Sequence, residues 1–176
     1  MKKHLQRILA PLGILMVIIF LIGYRGGAFG VPLDKLESFS RQHQPIPEEW
    51  LCIEEVQGDV ATLLFYPEDQ SNACYVIYVK GSGLSFGYHS RSRGFMYSIQ
   101  EGICEYQYAD RGVAVFLSLN RPDVRFAELT HEDGAKETLT IDAGEPFAMI
   151  LPIETAVVFH DASGPIDEGL RAIVAI

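Results

Sequence analysis

After Gln44 the chain carries no further apolar stripe of helical length. It carries short apolar runs, most of them separated by turn residues. Strand-like segments fall at Asp59–Tyr66, Ala73–Lys80, Gly83–His89, Gly94–Gln100, Ile103–Ala109, Gly112–Asn120, Asp123–Thr130, Glu137–Ile141, Pro146–Pro152, Ala156–Asp161 and Leu170–Ile176. The breaks between them include Pro67-Glu68-Asp69, Gly81-Ser82-Gly83, Asp110-Arg111-Gly112 and Glu132-Asp133-Gly134. Parallel strands need long crossovers, usually helical, so a doubly wound α/β sheet is excluded. The spacing predicts an all-β fold: an antiparallel β-sandwich of two packed sheets and about nine to eleven strands.

Two runs, Tyr75–Val79 and Val113–Leu117, are apolar on both faces and should be central strands. Ile103–Tyr108 alternates instead. Cys104, Tyr106 and Tyr108 share one face, while Glu105 and Gln107 take the other.

The N-terminus reads differently. Ile8 to Tyr24 holds no charge, with Lys2, Lys3 and Arg7 before it and Arg25 after it. At about 1.5 Å per residue this run just reaches across a bilayer core. The basic residues on its N-terminal side predict a cytoplasmic N-terminus and an exported C-terminal part. The expected organisation is a signal anchor over residues 1–25, a juxtamembrane linker with a short helix over 26–49, and an exported sandwich over 50–176. Ala28-Phe29-Gly30 offers a small-x-small cut, so secretion after signal cleavage stays open. The short helix is read from Pro32 to Gln44, with Leu33, Leu36 and Phe39 on one side and Pro45 and Pro47 ending it. Its net-neutral charge favours packing on the domain over lying on a membrane.

Charge narrows the partners. All 23 Asp and Glu follow Val31, while four of the 14 Lys and Arg precede it. So acidic a body excludes the basic footprint of nucleic-acid binding. In an exported domain, three cysteines imply either one disulfide and one free thiol or three buried thiols. Cys74 and Cys104, each inside a strand-like run, are the expected pair, with Cys52 left over. No H-E-x-x-H, C-x-x-C, P-loop or dinucleotide fingerprint occurs, so no metal or cofactor is expected.

Gly83-Leu84-Ser85-Phe86-Gly87 matches the nucleophile elbow G-x-S-x-G, with Asp142 and His160 following in triad order. An elbow needs a strand running into a helix. Here Leu84, Phe86 and Tyr88 alternate with Ser85, Gly87 and His89, and a polar stretch from Ser90 to Gly94 follows. A serine hydrolase using Ser85 is therefore the weakest of three readings. The leading one is a membrane-tethered binding module. Its contact surface would be Arg91 and Arg93 on a hairpin loop, with Tyr88 and Tyr97 beside them, facing a protein, peptide or glycan. Between the two stands a structural or accessory subunit of a cell-envelope complex.

Overall fold

The computed structural model describes residues 15–18, 29–82, 87–95, 99 and 101–175. The expected transmembrane helix over Ile8–Tyr24 lies outside them, apart from Leu15 to Ile18, which are helical and exposed. Among the described residues no helix is long and apolar enough to cross a membrane.

Among the described residues a short helix and eleven strands follow. A 3-10 turn at Leu33–Lys35 runs into α1, Leu36–His43. The strands are β1 Leu51–Gln57, β2 Val60–Tyr66, β3 Cys74–Lys80, β4 Tyr88–Phe95, β5 Ile103–Tyr108, β6 Val113–Ser118, β7 Phe126–Thr130, β8 Lys136–Thr140, β9 Phe147–Pro152, β10 Ala156–His160 and β11 Arg171–Ala175. They form three sheets rather than the two expected: β1-β2-β3-β4, β11-β5-β6-β9 and β10-β7-β8.

The apolar pattern explains the third sheet. Val115 and Leu117 of β6 face the first sheet, against Leu64, Tyr75 and Ile77. Ala114 and Phe116 of the same strand face the other way, against Ala127, Leu129 and Phe159. A sheet apolar on both faces needs a cover on each side. The first sheet has the same property. Its far face, with Leu63, Phe65, Cys74 and Val76, is closed by α1 through Leu36 and by Val31 and Ile46. The order through the molecule is helix, first sheet, middle sheet, outer sheet.

Three further departures have local causes. β1 was not expected, because Glu54 and Glu55 break its apolar pattern; it is an edge strand with only Cys52, Ile53 and Val56 turned to the cores. Residues 90–94, read as a hairpin loop, continue β4, whose polar Ser and Arg suit an edge strand open to water. Finally, β11 pairs parallel to β5, while every other pair of named strands is antiparallel. The chain reaches β11 only after leaving the middle sheet for β10.

Crossing between the middle and outer sheets depends on Asn120. It takes a left-handed backbone, φ 56°, which asparagine tolerates better than most residues. Its buried amide donates to the carbonyls of Val124 and Asp142 and accepts from the Val124 N–H.

The helix is held by polar contacts as well as by Leu36. Ser40 Oγ lies 2.8 Å from the Tyr78 hydroxyl under the helix. Arg41 donates to the carbonyls of Pro47 and Trp50, pairs with Glu37, and stands 5.0 Å over the Phe65 ring.

Glu105 is the one acidic residue among the buried polar groups of the described residues, at 3% exposure. Both Nε and Nη2 of Arg171 reach its Oε2 at 2.6 Å, and Gln107 donates to Oε1 at 2.8 Å. Arg171 also lies 5.3 Å over Phe116. Removing one partner of a buried pair leaves the other charge uncompensated. Arg171→Ala should therefore destabilise the fold by about 3 kcal/mol, with Glu105→Gln costing less because the amide keeps hydrogen bonds. Urea unfolding of the two variants against the parent checks the size and the order.

Candidate functional site

Of the expected contact residues, Arg91, Arg93 and Tyr88 all lie on β4. β4 is the edge of the first sheet, and its pairing with β3 slips between Ile77 and Tyr78. Ser92 stands opposite Ile77 and Ser90 opposite Tyr78, so Arg91 is the extra residue of a bulge. Arg91 and Arg93 are both exposed. Their charges act on different layers: Arg93 on Tyr78 beneath α1, Arg91 on Tyr108 between the first and middle sheets. A charged, bulged edge is also how sheets avoid pairing with other chains.

Tyr88 is buried. It exchanges two 2.8 Å backbone hydrogen bonds with Val31, which covers the start of β4. Tyr97 and Ser85 lie outside the described residues. The last glycine of the elbow motif has a structural reason of its own. A Cβ on Gly87 would come within 2.6 Å of the Val31 carbonyl oxygen and 2.7 Å of the Gly30 carbonyl carbon. His160, the imagined triad base, stacks on Phe126 in the outer sheet, with the middle sheet between it and the layer that holds Gly87.

The tyrosines of β3 and β5 are core. Tyr75, Tyr78, Tyr106 and Tyr108 are buried. The Tyr75 and Tyr106 rings sit 4.9 Å apart, and the Tyr75 hydroxyl meets Ser92 Oγ at 3.1 Å. Burial pushes the Tyr108 hydroxyl, which has no hydrogen-bond partner among the described residues, up to about 12.

Phe95 is the exception, with 52% of its surface in water. It ends β4 and meets the edge of Trp50, ring centroids 6.5 Å apart at 82°. Trp50 in turn lines a shallow cleft of about 540 Å³ with Pro67, Glu68, Asp69, Ser71 and Asn72. Sequence reasoning passed over this place. Trp50 stands outside the strand-like runs, and Pro67–Asn72 reads only as a turn. The available signal was the chain's single tryptophan near one end of a sheet whose next hairpin, PEDQSN, is polar.

The expected disulfide is absent. All three cysteines are free. Cys74 faces the helix-side core and Cys104 the core between the first and middle sheets, so the two thiols point to opposite sides of the first sheet. Cys52 shares the helix side, but Phe65 on β2 lies between it and Cys74 in the register. The arrangement is the other alternative, thiols held in the core. Burial, with a smaller contribution from Glu37, raises Cys52 from 9.0 to about 12; burial raises Cys74 to about 11 and also raises Cys104. Thiols held protonated are poor nucleophiles and poor metal ligands. Among the described residues no three His, Cys, Asp or Glu side chains are grouped to hold a metal ion.

No family model, no curated protein and no solved structure matches the chain.

The raised thiols set a pH dependence. Below about pH 9 the folded and unfolded chains both keep these protons, and the stability they contribute is fully present. Above it the unfolded chain releases protons that the folded chain retains, so stability falls as pH rises through about 11 to 12. Chemical denaturation between neutral and strongly alkaline pH should show this decline, and it should be shallower in Cys52→Ala. Without any reductant, iodoacetamide should label all three cysteines of the unfolded chain and label the native chain only slowly at neutral pH.

Proposed function

We propose that the chain is a membrane-tethered, exported binding module, with its contact surface at the Trp50–Phe95 end of the first sheet. Phe95 carries the reading. A fully buried Phe stabilises a fold by about 1.5–3 kcal/mol, and half of that burial is forgone here. The ring stands next to a half-buried tryptophan and two residues from Arg93. Aromatic and arginine side chains are the types that dominate protein contact surfaces. Arg93 has no ion-pair partner among the described residues, so its charge is available to a ligand.

The tether is supported by the sequence. Ile8–Tyr24 is uncharged and follows Lys2, Lys3 and Arg7, and the acidic residues all lie on its C-terminal side. The contact surface replaces the expected loop of Arg91 and Arg93, keeping Arg93 and exchanging Tyr88 and Tyr97 for Trp50 and Phe95. A ligand-binding role is favoured over catalysis because the buried thiols are held protonated and the elbow glycine serves a close backbone approach.

Two measurements test this. A periplasm-dependent phosphatase fused after Ile176 should be active, and a fusion active only in the cytoplasm would remove the tethered orientation. Mild crosslinking of the full chain in its own membranes should trap a partner, and Phe95→Ala with Arg93→Glu should lose it without a shift in thermal midpoint.

A further inference from the structure

We propose that two copies of this chain pair through β11, edge to edge and antiparallel, so that their middle sheets run on as one sheet across a two-fold axis. This goes beyond the contact surface at Trp50 and Phe95 and does not depend on it.

A free sheet edge presents unpaired N–H and C=O groups, and folds blunt such edges with charge, bulges, proline or a covering loop. The three sheets have six edge strands, and five are treated in that way. β1 carries Glu54 and Glu55. β4 has its bulge, with Arg91 and Arg93. β8 begins with Lys136 and Glu137. β9 lies against β1 and ends in Pro152. β10 is covered by the chain that follows it: the Ile166 N–H donates to the Phe159 carbonyl, and Arg171 donates to that of Val157. The sixth edge, β11, has none of these devices. It pairs with β5 on one side, and among the described residues no backbone group bonds its other side. Its sequence is Arg-Ala-Ile-Val-Ala, and the single charge turns back onto Glu105.

The occupant follows from what that edge offers. It holds no free charge with which to select a foreign strand. It matches itself in length and twist, as an isologous contact requires. A two-fold axis centred on Ile173 sets Ile173 opposite its counterpart, Ala172 opposite Val174 and Arg171 opposite Ala175, so no like charges meet. Opposite residues of an antiparallel pair share a face, with Cβ atoms about 4.5–5.5 Å apart. Ile173 is 60% exposed, the most exposed large apolar side chain among the described residues from Phe29 onward. This register covers it with its own copy. A ladder of five residues is small beside a standard interface of about 1,600 Å², so the dimer is weak in free solution. Confinement of both copies to one membrane raises the concentration at which they meet.

Single cysteines introduced into the full chain in detergent read the register, with the parent as background for the native thiols. Under mild oxidation with diamide, Ile173→Cys should form an interchain disulfide. Ala175→Cys should not, because the two-fold axis holds its copies about 14 Å apart along the strands. Val158→Cys, at an exposed position of the outer sheet, gives the rate of random collision. Light scattering should show the parent's protein mass rising toward a dimer with concentration. Ile173→Lys should weaken that dimer about ten-fold or more at an unchanged thermal midpoint. Disulfide formation by Ile173→Cys no faster than by Val158→Cys overturns the proposal. So does equal crosslinking at positions 173 and 175, a parent that stays monomeric at every concentration reached, or a dimer that Ile173→Lys leaves intact.

Discussion

The inner strands of the middle sheet have no face for water, and the rest of the molecule follows from that. β5, β6 and β9 turn apolar side chains to both sides, so a cover is required on each. The first four strands supply one cover as a simple meander. The other is woven into the middle sheet itself: β7 and β8 leave for the outer layer, β9 returns, β10 leaves and β11 returns. The first cover is in turn apolar on its far side, and α1 closes it. Each layer exists because its neighbour has a wet face to lose, and burial at roughly 25 cal/mol per Å² drives each step.

β11 shows what a strand must do to join such a sheet at its edge. It is short, and Ile173 points into solvent at 60% exposure. Two features hold it. Ala172 and Val174 pack toward the first sheet. On the opposite face Arg171 meets Glu105 and lies over Phe116. The pairing with β5 is parallel, so no tight hairpin fixes its register; the chain arrives from β10 through a ten-residue loop. A buried ion pair adds little net stability over an apolar pair, but it is satisfied only at one register. A slip of one residue would move Arg171 to the other face and leave Glu105 buried alone. The backbone adds a second constraint: Gly102, just before β5, admits no Cβ, which would overlap the Leu170 carbonyl.

The β-rich class and most strands were legible because a period of two survives in any strand with one or both faces buried. The double-sided runs Tyr75–Val79 and Val113–Leu117 pointed correctly to central strands. They also held the clue to a third layer, since two central strands in different sheets, each covered twice, need more than two layers. Pairing partners are not written in the pattern, so that step was missed. The edge strands failed for a physical reason. LCIEEVQ and HSRSRG have water on much of their surface, and nothing in their composition separates an edge strand from a loop. Cys74 and Cys104 were paired by sequence setting alone, and a single sheet placed between their side chains undid the pairing. Phe95 could not be singled out, because exposure at a strand's last residue depends on what lies beyond it.

The cleft shares its support with the helix that leads into the domain. Arg41 sits on α1 and is spent on three tasks: it pairs with Glu37, it covers Phe65, and it fixes the carbonyls of Pro47 and Trp50. The Pro45–Pro47 segment therefore does not swing as a free linker between helix and sheet. It is fastened at both ends, by Ile46 in the core and by Arg41 above it. Ser40 and Tyr78 fix the helix to β3, and the loop that forms the far wall of the cleft leads directly into β3. The orientation of α1, the position of the indole and the opposing wall are thus set by one connected group of contacts. The helix and the cleft are therefore held as one unit, because Arg41 and Ile46 leave no free joint between α1 and Trp50.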